Sequence, residues 1–302
     1  MTQPTRTPPT LPSTIAGRPV EMQHVFDPAM RHYVHGYRFG GLAGDAGMDE
    51  QLAWNDLHLS RSALVLRTLM GGPLGEHLVL RGSWLLHLWL GAEARLPHDL
   101  DFVAVGSDLS VDHLLTTAAN ELSRSDACRQ AGLLAGEIST ASIWAYEKIE
   151  GRRLVIPWVV GERSGAVQVD LTVDEDVPLP LEHLDVDGVA VRTVSMEMAL
   201  VWKLMWLATD GYPQGKDLFD AVLLTRHTSL SDEGAAWLRG ALAKELTGTY
   251  ATDPSFAVDH VEWQHFHAEY PAIATTTSPA ALDAELRRHV PRQPPLEGFP
   301  AT

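Results

Sequence analysis

Apolar and polar positions divide this chain into a mixed first part and a helical second part. Between residues 48 and 69, Leu52, Leu57, Leu59, Leu64 and Leu66 combine helical with irregular spacings. They predict a helical region closed by Gly71-Gly72-Pro73. Residues 77–80 read as a short strand. Residues 84–90 are apolar almost all round, the signature of a buried helix, and Gly91 stops them. The next strand covers 101–105. Residues 154–160 and 166–173 read as a hairpin around Gly161-Glu-Arg-Ser-Gly165. In its second strand Val167, Val169, Leu171 and Val173 share one face; Gln168, Asp170 and Thr172 share the other. A short strand over 189–191 follows Asp187-Gly188. Thereafter the period is helical. Ser195 caps a helix over 196–208 with Glu197 in its first turn. Gly211-Tyr-Pro-Gln-Gly215 forms a loop, a second helix opens near Asp217, and two or three more helices fill 231–290.

These elements predict an α+β chain: a small mixed sheet with flanking helices, then a helical domain. The expected divisions are a flexible N-terminal arm (1–20), a core (21–190), a helical domain (191–290) and a Pro-rich tail (291–302). A length of 302 residues allows one large or two small domains, and 45% hydrophobic residues are enough for a packed core. The formal net charge of -16 argues against a non-specific DNA coat, whose affinity would come mainly from phosphate neutralisation. It leaves room for a local basic patch. Cys128 is the only cysteine, so the chain forms no internal disulfide and no thiolate zinc site; a free core thiol is the expectation. No secretory signal and no membrane span is recognisable, which predicts a cytoplasmic protein.

The candidate chemistry lies where strands end. Gly82-Ser83 stands between a strand and a helix. There a glycine lets backbone approach phosphate, and the serine hydroxyl and helix N–H groups can bind phosphate oxygens. Asp99 and Asp101, at i and i+2 of a strand, point to one side and would repel without a cation between them. Magnesium accepts one or two carboxylates plus substrate phosphates. Asp170, on the polar face of its strand, is the natural third ligand of a two-metal site with ions ~3.5–4 Å apart. Arg95 can bind phosphate or pin carboxylates by ion pairing. Lys203 is the one basic residue of a strongly apolar helix, suited either to snorkelling or to a triphosphate. Lys216 precedes Asp217 and Asp220, which share a helix face at i and i+3. The histidines show no metal spacing, and no Walker A loop, dinucleotide fingerprint or G-x-S-x-G motif occurs.

Taken in order, Leu80-Arg81-Gly82-Ser83, Arg95-Leu-Pro-His-Asp99-Leu-Asp101-Phe102, Val-Gln-Val-Asp170-Leu, Glu197-Met-Ala-Leu-Val-Trp-Lys203 and Lys216-Asp217-Leu-Phe-Asp220 resemble the AbiEii/AbiGii toxin family. Its members are nucleotidyltransferase-like toxins of bacterial type IV toxin–antitoxin and abortive-infection systems. The resemblance covers about residues 77–225. It implies a polymerase-beta-like core followed by helices. It further implies that Gly82 and Ser83 hold the nucleoside triphosphate, that Asp99 and Asp101 hold Mg2+, and that Lys203 and Asp217 belong to a second cluster acting on nucleotide and catalysis. Beside these, the residues themselves suggest Arg95, Lys203 and Lys216 for the nucleotide and Asp170 for the metal. Relatives are described as transferring nucleotides to the 3′ end of tRNA, which blocks translation, so NTP, tRNA and a cognate antitoxin are the implied partners. Two departures stand out: the family often has Gly-Gly-Thr where this chain has Gly82-Ser83-Trp84, and a basic approach to its last motif where this chain has Tyr-Pro-Gln-Gly. Two other readings keep the same residues. One is an aminoglycoside-type enzyme modifying a small cationic molecule, which suits the negative charge. The other is a non-catalytic nucleotide-binding relative. A basic surface built from Arg152, Arg153, Arg287 or Arg288 would favour RNA.

Overall fold

The computed structural model describes residues 24–26, 37–39, 47–105, 110–145, 149–173, 175–209, 213–245 and 261–290. The expected N-terminal arm and Pro-rich tail lie outside these residues, as do the first two residues of the 211–215 loop and residues 246–260 of the 231–290 span. Strands β1 (His24–Phe26) and β2 (Tyr37–Phe39) form a small antiparallel pair. The body is a seven-stranded mixed sheet of β3 (Leu78–Arg81), β4 (Asp99–Ala104), β5 (Ser139–Ala145), β6 (Ile149–Val160), β7 (Arg163–Thr172), β8 (Glu182–Val186) and β9 (Val189–Thr193). The order is β5-β6-β7-β4-β3-β9-β8. β4 runs antiparallel to β3 and parallel to β7.

Helix α1 (Met48–Met70) ends at Gly71, as its closing glycines predict. α2 (Gly82–Leu90) follows β3 without a linker, and Gly91, at φ 54°, ends it. α3 (Val111–Arg124) and α4 (Asp126–Gln130) precede β5. Ser195 caps α5 (Met196–Thr209) as expected, its hydroxyl accepting from the Met198 N–H at 3.1 Å. Then come α6 (Gly215–Thr225), α7 (Asp232–Glu245), α8 (Trp263–Glu269), α9 (Pro271–Ala274) and α10 (Pro279–His289).

The sheet's two faces differ. On one, Leu100 and Phe102 of β4, Val167, Val169 and Leu171 of β7, and Leu154, Ile156 and Trp158 of β6 are fully buried. α1 covers this face: Trp54 packs on Trp158 and donates its indole N–H to the Ser164 carbonyl at 2.9 Å. The other face is polar at its centre, and there Trp202 and Trp206 of α5 lie against Arg81. A single apolar cluster runs from α1 through the sheet to α5, α6 and α10. A second, centred on Phe266 and Tyr270, joins α8 and α9.

The hairpin differs from its expected form. Pairing runs from Val160–Arg163 back to Gly151–Thr172, so the turn is Gly161-Glu162 and not five residues. Gly161 supplies a φ of 61°, which a tight turn needs. β5 and β8 have no counterpart in the apolar pattern. Cys128 is buried and free, as expected. Among the described residues, no helix is long and apolar enough to cross a membrane.

Candidate active site

Strand register assembles the site. Arg81 of β3 pairs with Asp101 of β4, Asp101 with Asp170 of β7, and Asp170 with Arg153 of β6. Residues in direct register project to the same face, so a row of alternating cation, two carboxylates and cation crosses four adjacent strands. Asp99, two residues before Asp101, lies on the same side. Oxygens of Asp99, Asp101 and Asp170 all approach within 4.8 Å of one another. The three predicted metal ligands are therefore together.

Gly82 explains how the carboxylates are accommodated. Its φ is 74°, and a Cβ there would overlap the Asp101 carboxylate. The glycine thus does more than permit a turn: it leaves the space in which Asp101 sits. The Ser83 hydroxyl lies 3.4 Å from Asp99 Oδ1. Ser83 lies in the first turn of α2, where free N–H groups and the helix dipole favour an anion.

Crowding is visible in the electrostatics. Burial, then the neighbouring Asp99 charge, push the Asp101 pKa up to about 7, and Asp170 adds to this while Arg81 and Lys216 oppose it. Three hard oxygen donors that repel one another at neutral pH fit a divalent cation such as magnesium.

Behind the triad lies a second charged cluster, fully buried. Lys203 of α5 pairs with Asp217 Oδ1 at 2.7 Å and Asp220 Oδ2 at 2.9 Å, both on α6. Arg95 grips Asp220 with two nitrogens at 3.0 Å and donates to the Tyr270 hydroxyl at 2.8 Å. Burial alone would lower the Lys203 ammonium, but Asp217 and Asp220 outweigh it and hold its pKa above the ordinary lysine value. Burial alone would raise Asp220, but Arg95 and Lys203 hold it down. Arg95 makes an ion pair, but its partner is Asp220 and not the neighbouring Asp99 or Asp101 that the sequence suggested; its field reaches Asp99. Lys203 does not snorkel. Lys216, half-buried at the start of α6, makes no ion pair with a described residue and faces Asp101 electrostatically.

Sequence reasoning missed Glu175, which with Thr172 engages Arg81. It misplaced Arg153 as a surface cation. Arg153 is buried and grips both oxygens of Asp170, at 2.7 and 2.6 Å. Its position opposite Asp170 in the hairpin register was the available signal. Arg287 is spent on Asp283 at 2.8 Å, so two of the four arginines considered for an RNA surface are engaged elsewhere.

The family model for the nucleotidyl transferase AbiEii toxin of type IV toxin–antitoxin systems matches residues 64–295. The chain belongs to the AbiEii family. The match takes in the Gly82-Ser83 turn, the triad, the buried cluster and the helices through α10, and it makes this chain a nucleotidyltransferase of toxin–antitoxin type. Solved structures of low similarity include JHP933 from Helicobacter pylori, 15% identical over 77% of this chain and 88% of that one, with a TM-score of 0.44. Another is an antigenic nucleotidyltransferase-like protein from Paracoccidioides brasiliensis, 16% identical over 61% and 87%, with a TM-score of 0.41. No curated protein matches the chain.

Proposed function

We propose that this AbiEii-family protein is a magnesium-dependent toxin that transfers a nucleotide from an NTP to the 3′ end of tRNA in the cytoplasm, and so inhibits translation. The observation that carries this reading is the convergence of Asp99, Asp101 and Asp170 beside the Gly82-Ser83 turn. Asp99 and Asp101 would hold magnesium, with Asp170 beside them in the same carboxylate cluster. When bound, magnesium neutralises charge on the α-phosphate and on the departing pyrophosphate.

The remaining work falls to the chain itself. Ser83 and the first N–H groups of α2 bind phosphate oxygens of the triphosphate. Lys216, the half-buried cation facing the triad, supplies positive charge to the same group. Lys203 and Asp217, locked together at 2.7 Å, fix the first turn of α6 and thereby aim Lys216. Arg95 ties that framework to the segment leading into Asp99. A hydroxyl of the acceptor then attacks the α-phosphorus in line. The new oxygen–phosphorus bond forms as the bond to pyrophosphate breaks, and the hydroxyl proton passes to solvent water. Catalysis of this kind is positioning and charge stabilisation.

A second reading, transfer to a small cationic acceptor, has support in the net charge of -16 and in the engagement of Arg153 and Arg287 within the protein. One experiment separates the two. The protein, Mg2+ and each α-labelled NTP in turn are incubated with total tRNA, with tRNA whose terminal diol has been oxidised by periodate, and with an aminoglycoside. Label in intact but not oxidised tRNA is expected. Label confined to the aminoglycoside would replace the tRNA reading with the second.

A further inference from the structure

The row Arg81–Asp101–Asp170–Arg153 places a buried arginine at each end of the carboxylates. The two arginines are not equivalent. Arg81 is balanced by Glu175, with Thr172 bridging the pair, and it lies over Trp202 and Trp206 at 5.1 and 5.7 Å. Glu175 offsets its charge, while its field still favours ionised Asp101. Arg153 has its fork on Asp170 itself: Nε donates to Oδ1 and Nη2 to Oδ2. Both residues are more than nine-tenths buried, Arg153 at 4% and Asp170 at 7% exposure. In such surroundings a bidentate guanidinium–carboxylate pair is strong and geometrically fixed.

The oxygens of Asp170 then matter. Both of them accept from one buried guanidinium, at 2.7 and 2.6 Å. A second ion at Asp170 would have to share both carboxylate oxygens with a guanidinium at contact distance, and its own charge would repel that guanidinium in a poorly screened interior.

We propose that Arg153 occupies the role of the second cation: the site takes one divalent ion, between Asp99 and Asp101, and Arg153 is a positioning residue that fixes Asp170 and neutralises it permanently. The inference rests on the metal-dependent reading above and replaces its expected two-metal site with one metal and one guanidinium.

The test counts ions directly. The full chain, without nucleotide, is titrated with Mn2+, and free Mn2+ is followed by electron paramagnetic resonance. The wild type should bind one Mn2+ per chain. Arg153→Met should bind two, with the spin coupling of an ion pair. Arg153→Lys, which keeps the charge, should return to one, and the double variant Arg153→Met/Asp170→Asn, which removes both charges and avoids a lone buried carboxylate, should also bind one. Two coupled ions in the wild type would overturn the proposal while leaving metal-dependent transfer intact. A folded Arg153→Met that still binds one would also overturn it. No Mn2+ bound by the wild type, with Asp101→Asn indistinguishable from it, would instead overturn the metal-dependent reading itself.

Discussion

At the scale of single residues, Gly82 and Asp101 constrain each other. The glycine has a positive φ that an alanine tolerates only at a cost of about 1–2 kcal/mol, and any Cβ would displace the Asp101 carboxylate. Gly82→Ala should therefore lose activity by about 100-fold or more, since a displacement of about 1 Å at a reacting centre costs that much. Labelled-nucleotide transfer measures the loss, and a thermal melt should show only a small drop in Tm beside it. Asp101 has a distinct pH signature. Its pKa in the folded metal-free protein is about 7, above its unfolded value. The folded state thus holds its proton longer than the unfolded state does, and the stability linked to Asp101 is full at low pH and lost as pH rises towards 7. Asp101→Asn removes this loss. In the absence of metal the variant should melt above the wild type by a margin that grows from pH 5 to pH 7 and then levels. Adding Mg2+ should raise the wild type and close the gap. A margin that shrinks with rising pH would refute the account of the carboxylate crowding. For the same reason, metal binding should strengthen with pH and flatten above about 7.

At the scale of elements, α5 and α6 are joined to the strand-bearing part through buried charge. Asp220 accepts from Arg95 and pairs with Lys203, so Asp220→Asn leaves two buried cations short of a partner. Removing one member of such a cluster costs about 3–5 kcal/mol, which corresponds to a fall in Tm on the order of 10 °C for a chain of this size. Tyr270→Phe is gentler: it leaves one Arg95 N–H without its acceptor, a loss of about 1–3 kcal/mol. Much of this architecture was legible in the sequence. Apolar period and terminating glycines found α1, α2 and α5, and alternation found β7, because each buries a face in one pattern. β5 and β8 were missed because they are the two edge strands, and an edge strand half-exposed to water carries weaker alternation. Among site residues, Gly82, Ser83, Asp99, Asp101 and Asp170 could be found because strand spacing alone fixes where they point. Arg153 could have been found from the hairpin register that sets it opposite Asp170. Glu175 and Tyr270 could not: their partners lie 94 and 175 residues away, and only the assembled sheet and the α8–α9 layer bring them into contact.

At the scale of the whole molecule, an acidic chain that acts on nucleotides must concentrate its cations. Arg81, Arg95, Arg153 and Lys203 are all buried within ion pairs beside the site, which leaves Lys216, among the described residues there, as a half-buried cation with no ion pair to occupy it. Binding of tRNA should accordingly release few counterions, with a slope of log affinity on log salt no steeper than about −3. Filter binding across 50–200 mM salt would read it. The helices after residue 260 belong to the same design: α8 packs Phe266 against Gly215, where a Cβ would come within 2.7 Å of it, at the head of the helix that carries Lys216 and Asp217. The central claim is that the carboxylates beside Gly82 transfer a nucleotide with the help of a divalent ion. The most direct measurement is incorporation of α-labelled nucleotide into RNA by the wild type and by Asp101→Asn, each with Mg2+ and with chelator, with folding verified by circular dichroism. The account predicts labelled RNA only from the wild type with Mg2+. Undiminished labelling by folded Asp101→Asn, or by the wild type in chelator, would contradict it.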